Sequence, residues 1–173
     1  VRADRIRDAL AEDQIVLVAG FQGVSTTRDV TTLGRGGSDT TAVALAAAID
    51  AEVCEIYTDV PGVFSADPRI VPNAKKLEVV SFDEMLEMSA SGAGVLQLRA
   101  VEYARNHGVP VHCRPSMLVD AGTRVVSDLE AKDHPMENPL ITAVTHSRGE
   151  ARVTLVGVPD SPGVAGRVTT ALA

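Results

Sequence analysis

The sequence predicts an α/β layer sandwich built on a mainly parallel sheet. Three observations carry this expectation. Apolar runs of strand length alternate with helical patterns along the 173 residues, the arrangement that places helices over a parallel sheet. The run at 15–19 is continuous rather than alternating, as a strand buried on both faces requires. Aromatics make up only 3% of the chain and Trp is absent, so the core has to come from Ala, Val, Leu and Ile.

Residues 2–11 open the chain in a helical pattern, and 15–19 (Ile-Val-Leu-Val-Ala) read as a short buried strand. A Gly-, Thr- and Ser-rich stretch follows over 20–37. Ala42, Leu45, Ala46 and Ile49 then recur at helical spacing, which predicts an amphipathic helix over 39–50. Residues 52–58 read as a second strand, followed by a loop carrying Pro61, Gly62, Pro68 and Pro72. Ser81 and Glu84 have capping-box spacing ahead of Phe82, Met85 and Leu86. A helix is expected from about 94 to 107, stopped by Gly108 and Pro110. Residues 109–113 form a third buried strand.

Composition turns polar over 128–139, with Asp133, Pro135 and Pro139, and this is the expected linker. Strand patterns at 140–145 and 152–158 follow, and Asp160-Ser161-Pro162-Gly163 opens a new helix. The expected division is 1–127, a linker over 128–139, and an unfinished second domain over 140–173. Both ends fall inside helical patterns, so the chain is expected to be a piece of a longer protein.

The net charge is −7, with no basic cluster, which argues against nucleic acid and anionic membrane as partners. No apolar run reaches the length of a membrane span. Cys54 and Cys113 sit in apolar strand patterns without metal-ligand spacing. They read as buried free thiols of a reducing, cytoplasmic compartment.

Chemistry concentrates in two segments. The first is Thr31-Thr32-Leu33-Gly34-Arg35-Gly36-Gly37-Ser38-Asp39. Its glycines permit φ > 0 and close backbone approach, and Ser38 stands where an N-cap belongs, with Asp39 in the first turn. The helix start and the planar donor fork of Arg35 suit a carboxylate or phosphate. A capped glycine turn accounts for the same residues, and no Walker A pattern is present. The second segment, Tyr57 to Arg69, leaves the carboxyl end of a strand, the expected place for a nucleotide. Thr58 and Asp59 can bond a base or ribose edge, Phe64 can cover an apolar face, and Arg69 can meet phosphate. By itself it also reads as an ordinary turn.

Together, in this order and spacing, the two segments resemble the aspartate kinases of the amino acid kinase superfamily. Gly20-Phe21-Gln22-Gly23, Val101-Glu102-Tyr103-Ala104-Arg105 and Asp160-Ser161-Pro162-Gly163 fit the same family. The resemblance implies a three-layer αβα sandwich of carbamate-kinase-like type, followed by the start of an α+β ACT regulatory domain. It implies transfer of a phosphoryl group from ATP, with Mg2+, to the side-chain carboxylate of L-aspartate. Arg35, Gly36, Gly37 and Ser38 would hold the amino acid, and Asp39 would organise the transfer. Tyr57, Thr58, Asp59, Val63, Phe64, Ser65, Ala66, Asp67, Pro68 and Arg69 would hold ATP, with Gly94 at the same site and no protein-held metal. Gly94 stands where the family carries a lysine, and the family's Lys-x-Gly-Gly segment would lie upstream of Val1. Negligible turnover is therefore expected of these residues alone. Feedback lysine or threonine would bind the ACT domain of a homo- or hetero-oligomer. A sister kinase for another carboxylate and a non-catalytic regulatory paralogue are the alternatives.

Overall fold

The computed structural model describes residues 3–132, 141–147 and 162–172. In chain order the elements are α1 (Asp4–Ala11), β1 (Gln22–Val24), β2 (Val30–Thr32), α2 (Gly37–Ala48), β3 (Cys54–Thr58), β4 (Val79–Ser81), α3 (Phe82–Ala90), α4 (Leu98–His107), β5 (Val111–Pro115), β6 (Thr123–Val126), α5 (Asp128–Lys132) and α6 (Val164–Leu172).

The main sheet has the order β3-β5-β6-β4. β3 runs parallel to β5 and β4 parallel to β6, while β5 and β6 are antiparallel. The sheet is thus mixed, parallel in two of its three pairings. The antiparallel step arises because β5 returns through residues 116–122 directly into β6. Such a return needs no crossover helix. β1 and β2 form a separate antiparallel hairpin.

The residues facing α2 and α4 explain where the core sits. In β3 and β5, burial falls on Cys54, Val111, Cys113 and Pro115 and skips Glu55, Tyr57, His112 and Arg114, the period of two that a pleated strand imposes. The buried face joins Val43 and Ala46 of α2, Met85 of α3 and Ala100, Val101 and Ala104 of α4 in one cluster. On the other face Glu55 accepts from Arg114 (2.8 Å) and from Tyr57 (2.9 Å). Small side chains on α2 and α4 permit close packing with almost no aromatic residues.

The expected helix over 39–50 is α2, and Val43 rather than Ala42 is its most buried apolar side chain. The capping box forms at the start of α3. Ser81 Oγ accepts from Glu84 N (3.3 Å) and Glu84 Oε2 accepts from Ser81 N (2.9 Å). Gly108 caps α4 at φ 65°. That helix begins at Leu98, not near 94, because Gln97 is its N-cap, with an extended backbone at ψ 133°.

Residues 15–19 form no strand, and Ile15 and Leu17 are almost fully exposed. An apolar run becomes a strand only by pairing, and no described strand pairs with it. The linker expected over 128–139 starts instead as the short helix α5, whose Glu130 accepts from Arg124 of β6 at 2.9 Å. Residues 133–140 lie outside the described residues, as does the strand expected at 152–158. Residues 141–145 are not in a strand. The helix expected after Gly163 is α6, although Asp160 and Ser161 lie outside the described residues. Among the described residues no helix is long and apolar enough to cross a membrane.

Candidate active site

The glycine-rich segment folds as a turn leading into α2, and the backbone explains its composition. Gly34 and Gly36 sit at φ 76° and 75°, a region costly for any residue with a Cβ. Gly36 is the N-cap of α2, so Ser38 lies inside the first turn and is not the cap. The sequence suggested Ser38 because Ser is a favoured cap. The left-handed Gly36 ends the turn earlier, and the hydroxyls of Thr40 and Thr41 donate back to Gly36 O (3.0 Å) and Gly37 O (2.6 Å).

The start of α4 is packed against this turn. A Cβ on Gly36 would lie 2.2 Å from Gln97 Cγ, and one on Gly37 would lie 2.8 Å from Leu33 Cβ. Arg99 donates to Leu33 O (3.3 Å) and Arg35 O (3.2 Å), fixing both carbonyls of the turn. Arg35 and Ser38 remain exposed. Asp39 is half-buried, and burial raises its carboxyl above the usual aspartate range, opposed by the backbone N–H of Gln97. Its negative charge also adds to burial in pushing the Cys54 and Cys113 thiols up to about 11. Both cysteines are free and buried.

The segment after β3 lines a cavity of about 520 Å³. Thr58, Asp59, Val63, Phe64, Ala66, Asp67, Pro68 and Arg69 all contribute to it, with Gly92 to Val95 opposite. Thr123 of β6 holds the loop in place. Its fully buried hydroxyl accepts from Val63 N (2.9 Å) and donates to Leu77 O (2.6 Å). The approach is close, since a Cβ on Gly62 would stand 2.6 Å from that hydroxyl.

Arg69 is pinned by Asp67, with Nε to Oδ1 at 3.0 Å and Nη2 to Oδ2 at 2.8 Å. That fork holds the Asp67 carboxyl at about 2. Lys76 pairs with Asp120 and does not line the cavity.

Two residues of the second segment stand apart from the cavity. Tyr57 points its hydroxyl to Glu55 on the opposite sheet face, and Ser65 pairs with Lys75 through the backbone at 2.8 Å. Nor do Arg35 to Asp39 line it. The two regions are joined by residues 94–97: Gly94 and Val95 line the cavity, and Gln97 touches Gly36 and Asp39. Sequence reasoning missed Gln97, Arg99 and Thr123, whose roles appear only when distant segments meet. It also missed Val144, Thr145 and His146, which complete the cavity wall.

The family model described as "Amino acid kinase family" matches residues 1–115. The chain belongs to the amino acid kinase family. Within it, the curated relatives matched at high identity are aspartokinases. That of Mycolicibacterium smegmatis is 64% identical over 174 residues, covering 100% of this chain and 41% of the relative. This amino acid kinase chain therefore spans about two fifths of the length of the curated relatives it matches. Among solved structures, aspartate kinase from Synechocystis is similar at TM-score 0.64 and 55% identity, over 73% of this chain and 21% of that one. E. coli aspartokinase III in complex with aspartate and ADP (R-state) gives TM-score 0.66 at 37% identity, over 72% and 28%. These likenesses show an α/β fold of amino acid kinase type with a mixed sheet.

Proposed function

We propose that this chain is the nucleotide-side part of an aspartate kinase. The parent enzyme transfers the γ-phosphoryl group of MgATP to the side-chain carboxylate of L-aspartate, giving 4-phospho-L-aspartate. This is the first step toward lysine, threonine and methionine. The carrying observation is the concurrence of near-60% identity to aspartokinases across the whole chain with a cavity at the carboxyl end of β3. In doubly wound sheets that end is where ligands sit.

Each group then has a task. The cavity takes the nucleotide, with Thr58 and Asp59 at its polar edge and Phe64 and Val63 at its apolar one. Tyr57 and Ser65 support that loop from behind. Arg69, held by Asp67, faces the phosphates, and Gly94 leaves the opposite wall open. Arg35 and the turn Gly36-Gly37-Ser38 hold aspartate, consistent with an exposed guanidinium beside backbone N–H groups at a helix start. Asp39 organises the transfer. An oxygen of the substrate carboxylate bonds the γ-phosphorus as the bond to the bridging oxygen of ADP breaks. Positioning and charge stabilisation are most of what this reaction needs.

Among the described residues no three His, Cys, Asp or Glu side chains converge to hold a metal ion. Mg2+ bound through nucleotide phosphates and at most one or two carboxylates is compatible with that donor set. It would supply neutralisation of the phosphate charge. Residues 1–127 would be kinase domain, 128–139 a link and 140–173 the start of an ACT domain binding feedback lysine or threonine in an oligomer. α6 is compatible with such a domain.

The test is hydroxamate formation by the full-length protein from ATP, hydroxylamine and a panel of amino acids. Signal with aspartate is expected. Silence with aspartate alongside turnover of glutamate or acetylglutamate would refute the assignment.

A further inference from the structure

Residues 141–147 lie beyond the stretch matched by the kinase family model, yet Val144, Thr145 and His146 among them line the cavity. Their seat is specific. Val144 N donates to Ser65 O at 2.8 Å. Thr142 Oγ1 donates to Glu84 Oε1 at 2.6 Å, using the second oxygen of the carboxylate that closes the α3 capping box. The His146 carbonyl packs over Gly92, where a Cβ would be only 2.3 Å from it and where φ is 110°. A side chain at 92 and this segment cannot occupy the same place.

The ionisable side chains that line the cavity are Asp59, Asp67, Arg69 and His146. Residues 91–95 add no charged side chain. A polyphosphate entering here meets two carboxylates and needs N–H donors against them. The Arg69 guanidinium is engaged through Nε and Nη2 by Asp67. His146 lines the same cavity as Asp67 and Arg69. Gly94, in the same lining, is open, with nothing within 4 Å of a Cβ built there. An imidazole carries an N–H donor in either protonation state.

We propose that His146 contacts the nucleotide phosphates, delivered to the cavity by the 141–147 segment. The inference rests on the cavity being the nucleotide site. It makes phosphate binding depend on the seating of a segment outside the kinase-family match, so displacing that segment withdraws a ligand-binding donor.

The experiment is calorimetric binding of ATP, ADP and adenosine, with Mg2+, to the full-length protein and three variants. His146→Ala should weaken ATP and ADP about tenfold, the worth of one charge-assisted hydrogen bond, and leave adenosine within about twofold. His146→Lys should restore the phosphate-bearing ligands. Equal weakening of all three ligands, or no weakening, overturns the proposal. Gly94→Trp, built into open space, should block all three. Nucleotide binding that survives Gly94→Trp would refute the cavity assignment and the His146 role together. Binding lost there but unchanged in His146→Ala would refute only the role of His146. The exposed position of His146 predicts an unchanged melting temperature for its variants, which separates ligand contact from folding.

Discussion

The glycine turn allows conformational strain and steric overlap to be measured separately within one segment. Gly34 and Gly36 have nearly the same backbone, at φ 76° and 75°. Alanine at either pays the left-handed penalty of about 1–2 kcal/mol. Their surroundings differ. A Cβ on Gly34 finds only Arg99 Nη2, at 3.8 Å, an ordinary contact. A Cβ on Gly36 meets Gln97 Cγ at 2.2 Å, Cβ at 2.7 Å and Cδ at 2.8 Å. Gln97 cannot swing aside fully, because its own Cβ is among the overlapping atoms and its backbone starts α4. Such overpacking adds about 1–3 kcal/mol. Gly34→Ala should thus cost about 1–2 kcal/mol and Gly36→Ala about 2–5 kcal/mol. Urea unfolding of the full-length protein followed by circular dichroism reads both. Gln97→Gly should recover the steric part in the Gly36→Ala background and nothing in the Gly34→Ala background. Equal losses at 34 and 36, or no recovery, would refute the packing of α4 on the turn.

Asp39→Asn should raise stability near neutral pH while lowering kcat by about 10²-fold or more, read by unfolding and by hydroxamate assay. The sign follows from the raised carboxyl of Asp39. A folded value above the unfolded one gives a contribution present at low pH and lost as pH rises through the folded value. Asp67 behaves oppositely, since its carboxyl is held at about 2 by Arg69. Its contribution is present above the ordinary aspartate range and disappears as pH falls toward 2. NMR titration should find Asp67 ionised down to that point, and Arg69→Ala should raise it toward the ordinary range, the backbone N–H at position 69 still donating to Oδ1 at 2.9 Å. Burial holds the Cys54 and Cys113 thiols at about 11. Both should therefore resist a thiol reagent near neutral pH until the protein unfolds.

Local patterns that depend on adjacent residues were legible in the sequence. The Ser81–Glu84 capping box, the Gly108 stop, α2 and the segments of β3 and β5 follow from spacing and propensity within a few positions. The glycine turn and the loop from Thr58 to Arg69 were legible as candidate sites for the same reason: glycines, a helix start and a strand end are local features. Pairing and approach were not. β4 and β6 are strands of three and four residues, too short for periodicity to reveal, and they exist because each finds a neighbour. Residues 15–19 have the composition of a strand but no partner among the described strands. Ser38 has the chemistry of a cap, but Gly36 takes the position because Gln97 leaves room only for hydrogen there. Thr123, Arg99 and the 141–147 wall meet the candidate site from 46 or more residues away, as the Thr123–Leu77 separation illustrates. Sequence determined which segments could carry chemistry; tertiary contact decided which side chains share a cavity, because that depends on distances between segments that no local pattern encodes.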